Sequence, residues 1–221
     1  MADDFETPIL TVDVVLLTLH VDTLSVALQR RDKAPFEGKL ALIGGYVHAN
    51  KDASARATAE RVLREKAGLD RIFMEQLMTF SGQKRDPRGW SASIVYYALV
   101  PALVLQGATL GNLAITPVGQ VGKLPFDHAA IVETAVRRLR TKGAYSSLPA
   151  YLLGETFTLS ELRRVYELVM GTALNDSAFR RKMDELRVLE PVPGGTSKAT
   201  ARPAQLYRLR EAALKEFDRK V

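Results

Sequence analysis

Gly44-Gly45-Tyr46-Val47, followed after a polar stretch by Arg61-Val62-Leu63-Arg64-Glu65-Lys66-Ala67-Gly68-Leu69, is the passage on which the fold turns. The paired glycines end an apolar run, Ala41-Leu42-Ile43, and suit a place where backbone takes a positive φ or passes close to a ligand. The second stretch is helical in pattern: Asp52 or Ser54 serves as its cap, it runs to Lys66, and Gly68 supplies the stop. Residues 62, 65 and 66 are spaced i, i+3, i+4 and share one helix face. Three carboxylates in that arrangement would converge on a hard cation, which takes oxygen ligands. The face instead reads Val62, Glu65, Lys66. Valine has no lone pair to give, and an ammonium repels a cation, so one carboxylate of three supports little two-metal chemistry. Arg61 and Glu65, at i and i+4, also make a helix-stabilising ion pair worth a few tenths of a kcal/mol.

Upstream, Val12–Leu19 and Leu24–Arg30 are β-rich runs joined by a polar turn around Asp22, which predicts a hairpin. Asp32 to Lys39 reads as a loop. Downstream, Phe73–Phe80 and Ser91–Val100 read as strands around the polar loop 81–90. Strands and helices therefore mix through the first 125 residues, and the class is α+β. Asp127 is placed to cap a helix whose apolar positions 131, 132, 135, 136 and 139 recur at helical spacing. That helix, 127–142, acts as a linker, and the Ser- and Pro-bearing stretch 144–149 marks a domain junction. The boundary falls at about residue 148, giving domains 1–148 and 149–221.

Composition bounds the rest. The chain has 221 residues, 47% of them apolar, no cysteine and a net charge of +6. Neither a disulfide framework nor a thiolate metal site is possible. The N-terminus is acidic where a signal peptide would be basic, and no apolar run approaches the ~18 residues that span a bilayer. The expected location is the cytoplasm, with no membrane partner. Residues 140–221 carry 15 Lys and Arg against 10 Asp and Glu, while residues 1–139 carry 16 against 15. The excess positive charge therefore sits in the last third, where it suits a phosphate backbone.

That last third has the order of a winged helix-turn-helix. Thr158-Leu-Ser-Glu161 is a capping box opening a helix that ends at Gly171. Asn175 or Asp176 caps a second helix to Leu186, on which Phe179, Met183 and Leu186 face inward and Arg180, Arg181 and Lys182 outward. Strands at 188–192 and 205–209 flank a loop at Gly194–Pro203 carrying Lys198 and Arg202. In such a fold the second helix enters the major groove and the wing meets phosphates or the minor groove. Arg180, Arg181, Lys182, Lys198 and Arg202 are the candidate contacts to double-stranded DNA.

Along nearly its whole length the chain resembles the Nudix-related transcriptional regulators of bacterial NAD metabolism, the NrtR family. The resemblance rests on the altered Nudix box at 44–69, Arg85-Asp-Pro-Arg-Gly89, Phe126-Asp-His128, Phe157-Thr-Leu-Ser-Glu-Leu162 with Val165-Tyr166, Phe179-Arg-Arg-Lys182, and Arg202-Pro-Ala-Gln-Leu-Tyr207. Against the family's hydrolase box, Val62 and Lys66 stand at metal-ligand positions, the loop after Gly45 is about two residues longer, and Leu42-Ile43 replaces Leu-Pro. The resemblance implies a Nudix α/β/α sandwich followed by a small winged helix-turn-helix, in a homodimeric repressor. Its Nudix domain senses ADP-ribose or a related nucleotide without cutting it and needs no metal or other cofactor.

Gly44, Gly45, Arg61, Glu65, Arg85 and Arg88 are the candidate ligand contacts, the last two because planar guanidinium forks suit a pyrophosphate. Ligand binding would then shift operator affinity through the helix 127–142. The competing readings are an active Nudix pyrophosphatase that recruits Glu60 or Asp52, a regulator responding to a sugar or other metabolite, and a winged module that binds protein.

Overall fold

The computed structural model describes residues 7–107, 113–197, 203–218 and 220–221. Lys198 and Arg202 lie outside the described residues.

β1 (Ile9–His20) and β2 (Thr23–Arg30) form the expected hairpin. Its turn residues Val21 and Asp22 both take positive φ, the backbone that matches a two-residue hairpin to strand twist. β3 (Leu40–Ala41) pairs with β2, and β4 (Ile43–Tyr46) lies antiparallel on the first half of β1. β5 (Phe73–Gly82) and β6 (Ser91–Leu99) continue the sheet, with β6 parallel to β1. β7 (Leu113–Pro117) adds to the far edge of β2.

β1 is buried from Val12 to Thr18, so its side chains face two cores. Val15 and Leu17 join one cluster with Val95, Tyr97 and Leu99 of β6. Val12, Val14 and Leu16 join the other with Tyr96 and Ala98. α1 (Ala55–Ala67) covers the second face through Ala59, Val62 and Leu63. α3 (His128–Gly143) covers the first through Ile131, Val132, Ala135, Val136 and Leu139, the five positions its periodicity marks. The short α2 (Ala102–Gly107) precedes β7. The result is the expected α/β/α sandwich, with α3 a full layer of it rather than a tether.

The winged unit follows. α4 (Leu159–Met170) opens on the capping box: Thr158 Oγ1 accepts from the Glu161 N–H, and the Glu161 carboxylate accepts from the Thr158 N–H. Gly171 closes it in the left-handed conformation. α5 (Asp176–Leu186) is capped by Asn175. β9 (Leu189–Ser197) and β10 (Ala204–Leu209) form the wing, and the two-residue β8 (Phe157–Thr158) adds a third strand against β10 that sequence pattern does not reveal. β9 also runs four residues into the expected loop at 194–203. As an edge strand it tolerates Pro191 and Pro193.

α4 belongs to both halves of the molecule. Its Leu162 and Tyr166 lie in the winged core beside Phe179 and Met183. One face around, Val165 and Val169 enter the core under α3. The chain also returns after the wing: Lys215 and Phe217 exchange backbone hydrogen bonds with Ser147 and Tyr145, just beyond α3.

Candidate functional site

One edge of β1 is shared in succession by β4, along residues 11–14, and β2, along residues 16–20. Where these partners part, a cleft of about 560 Å³ opens, bordered by Thr11, Asp13, Gln29, Gly44 and Gly45 from the sheet. Arg61, Val62, Glu65 and Lys66 of α1 close one side, and Arg85, Arg88, Phe126 and His128 another. All six candidate ligand contacts therefore border one space. Its charged lining is six Lys and Arg side chains against four carboxylates.

The glycines work differently from expectation. Neither has a positive φ; both are in strand geometry, and the close neighbour is protein. A Cβ on Gly44 would stand 2.0 Å from Asp13 Oδ1 and 2.8 Å from the Val12 carbonyl. One on Gly45 would meet Val62 at 2.9 Å. The pair lets β4 press between β1 and α1.

On α1 the capping question resolves in favour of Ser54, whose side chain accepts from the Ala57 N–H. Asp52 faces Arg61, which donates Nε and Nη2 to its two oxygens at 2.7 and 2.8 Å. Those hydrogen bonds, then the His48 N–H, hold the Asp52 carboxyl far below the usual carboxylate range. Arg61 also reaches Glu65 at 3.2 Å, so the predicted i, i+4 pair exists but is secondary. Lys66 Nζ donates to the Gly44 carbonyl at 2.5 Å. Removal from water lowers the pKa of that ammonium, against the pull of Asp32 and Asp13. The box face thus offers one carboxylate, Glu65, already paired, and a magnesium ion does not fit the residues present. Glu60 is engaged with Arg56. Among the described residues no group of three or more His, Asp or Glu side chains is disposed to hold a metal.

The two arginines of the 85–89 loop are not open forks. Arg85, whose side chain is only 7% exposed, donates Nε and Nη2 to Asp127 at 3.0 and 2.9 Å and Nη1 to Ser91 Oγ. Arg88 donates Nε and Nη2 to Asp86 at 2.9 and 2.6 Å and Nη1 to the Tyr46 hydroxyl. Burial raises the Asp86 pKa, but the Arg88 hydrogen bonds outweigh it and the net shift is downward. Asp127 occupies the N-cap position of α3 yet makes no capping bond. The two-pronged pair with Arg85 wins over a single bond to a neutral N–H.

Sequence reasoning missed several residues of the cleft. Asp13 is buried in the middle of apolar β1, where its carboxylate accepts from Ser93 Oγ at 2.6 Å. A charged residue inside an apolar strand was itself a usable signal. His128 accepts from the Leu42 N–H through Nδ1 at 3.0 Å, and burial lowers its pKa, so it is neutral. Phe126 lies under Arg31, with Phe36 edge-on at 5.1 Å. Trp90 is half-exposed and no part of the core.

The second candidate surface is α5. Phe179 and Met183 are buried, Leu186 partly so, and Arg180 and Arg181 are exposed as expected, with Lys182 half-buried. Arg180 meets Asp176 at 2.9 Å and Arg181 meets Glu185 at 3.9 Å, both in the open.

Fold and cleft together define a Nudix-type α/β/α domain carrying a winged helix-turn-helix. Residues 149–209 match the NrtR DNA-binding winged helix domain. The chain is 36% identical, over 97% of its length and 86% of the relative's, to the ADPR responsive transcriptional repressor NtrR of Acinetobacter baylyi. It therefore belongs to the NrtR family of Nudix-related transcriptional regulators. The crystal structure of Shewanella oneidensis NrtR complexed with a 27mer DNA is similar with a TM-score of 0.87 and 34% identity, covering 96% of this chain and 99% of that one. The NUDIX domain of that protein complexed with ADP ribose is similar with a TM-score of 0.57 and 34% identity, covering 63% of this chain and 93% of that one. No helix of the described residues is long and apolar enough to cross a membrane.

Proposed function

We propose that this protein is a cytoplasmic repressor of NAD-metabolism genes. In this reading it binds ADP-ribose, or a closely related nucleotide, in the cleft and releases it uncut. The winged unit holds double-stranded operator DNA through α5 and the wing, and a homodimer presents two such units to two half-sites. Ligand shifts operator affinity by the difference between its affinities for the DNA-competent and incompetent arrangements, and by no more than that.

The observation that carries the reading is the box face of α1. Lys66 places its ammonium on the Gly44 carbonyl, Val62 is buried apolar surface, and Arg61 is committed to Asp52. A site of that composition binds phosphates through cations and lacks the carboxylate cluster that would hold catalytic metal. The relatives named above, one an ADPR responsive repressor and one crystallised in separate DNA and ADP ribose complexes, support ligand and DNA alike. A working pyrophosphatase would need further carboxylates such as Glu60 or Asp52 beside Glu65, and each of those two is paired with an arginine.

The test is calorimetric titration of ADP-ribose into the full chain with chelator and again with magnesium, chromatography of the mixture, and gel retardation of promoter DNA with and without ligand. Expected are binding in both buffers, intact nucleotide, and a retardation that ligand alters. Turnover near ~1 per second, an ordinary enzyme rate, overturns the sensor reading. Retention that is absent or insensitive to salt favours a protein-binding winged module instead.

A further inference from the structure

Arg85 borders the cleft, yet its fork is filled from within the protein. Nε and Nη2 grip the two oxygens of Asp127 in parallel, the geometry with which a guanidinium also grips a phosphate. Asp127 is diverted as well. It stands at the N-cap of α3, where an aspartate ordinarily accepts from the first free N–H groups, and makes no such bond. A filled fork and an uncapped helix thus meet at one residue, whose backbone (φ -100°, ψ 19°) also departs from the extended geometry of the capped starts at Ser54, Thr158 and Asn175.

We propose that Asp127 is a built-in competitor for the phosphate of the ligand. An anion entering the cleft takes the Arg85 fork, and the released Asp127, its backbone turning to the extended geometry of the other helix starts, caps α3. The inference rests on the nucleotide reading given above. Arg85 does not depend on Asp127 to stay in place: Ser91 Oγ lies 3.2 Å from Nη1, and Asp13 Oδ2 lies 3.9 Å from Nη2. The exchange acts on the start of α3, whose apolar face shares a core with Val165 and Val169 of α4. It is therefore placed to carry ligand binding toward the winged unit. It also lowers the affinity of the native chain by the fraction of time the fork is closed.

The experiment titrates ADP-ribose into the native chain, Asp127→Asn and Asp127→Ser by calorimetry without divalent metal, with a thermal melt of each. Asparagine and serine both cap helices and carry no charge. Both variants are expected to bind roughly three- to tenfold tighter than the native chain. Without ligand, both should also shift affinity for a DNA duplex selected on the native chain, in the direction ADP-ribose shifts the native chain. Equal or weaker binding by variants that melt near the native temperature overturns the inference and leaves the nucleotide reading standing. Loss of the fold in both variants overturns it too, because Asp127 is then an anchor. A native chain that binds no ADP-ribose sinks the nucleotide reading together with this inference.

Discussion

The cleft and α5 are both rich in arginine, and the two regions use it in opposite ways. In the cleft, Arg61 and Arg85 are gripped at two points by carboxylates, and the Asp52 side chain is only 2% exposed. On α5, Arg180 and Arg181 are 47% and 78% exposed and meet their carboxylates in open solvent. Buried two-point pairs fix direction, so the cleft holds its guanidinium planes at set angles, and an anion must match that geometry to displace a carboxylate. Exposed pairs contribute about 0–1 kcal/mol and are screened by salt, so the α5 cations are free to trade a carboxylate for a phosphate.

The largest expected effect breaks the rigid side of that contrast. Gly44→Ala puts a methyl group into Asp13 and the Val12 carbonyl, and β4 has no room to retreat between β1 and α1. A loss of about 3 kcal/mol in denaturant unfolding is expected, at the upper end of ordinary overpacking costs. A loss below ~0.5 kcal/mol would show that the cleft wall yields and is not preset. The soft side is tested next. Replacing Arg180 and Arg181 together by alanine should cut DNA retention by about tenfold or more and flatten its dependence on salt. The melting temperature and ADP-ribose binding should stay near native values. Equal damage to all three would mean that α5 is a structural element first.

Much of this was legible because its signals are local. The β1–β2 hairpin, α1 with its Gly68 stop, the capping box of α4 and the inward face of α3 each follow from residues within a turn or two of one another. The failures share the opposite property. Arg85 and Asp127 lie 42 residues apart, and Asp13 and Ser93 lie 80 apart, so no periodicity announces either pair. β8 is a strand only because β10 passes beside it, and β7 only because β2 does. Asp127 is the instructive case: its position was read and its partner was not, so a cap was expected where an ion pair formed.

A smaller effect sharpens the buried side. His128 is held neutral by burial, its Nδ1 satisfied by the Leu42 N–H, so its folded pKa lies below the usual 6.5. The unfolded chain takes up that proton as pH falls through about 6.5 while the folded chain resists, so stability is complete above that value and declines below it. The slope from one such group is at most about 1.4 kcal/mol per pH unit. Asp52 and Asp86, with lowered pKa values, contribute stability that is lost only when pH falls below their usual 3.8, outside this window. Unfolding curves between pH 7.5 and 5 should therefore show the decline in the native chain and a flatter profile in His128→Asn. A native profile that is already flat over that range would mean that the histidine charges freely in place.

The smallest expected effect concerns the element that joins the two regions. Tyr166 of α4 is fully buried in the winged core, edge-on to Phe179 of α5, and its hydroxyl donates to the Ser146 carbonyl at 2.7 Å just beyond α3. Tyr166→Phe keeps the ring and removes only that bond, leaving one buried carbonyl short of a donor. The expected cost is about 1 kcal/mol in denaturant unfolding. Packing of Val165 and Val169 under α3 is untouched, so ADP-ribose binding and DNA binding measured separately should persist. The ligand-induced change in DNA affinity distinguishes two ways of joining the regions. If the shared apolar core carries the coupling, that change survives the substitution. If it collapses while both separate affinities hold, the single hydroxyl at the α3–α4 junction carries it.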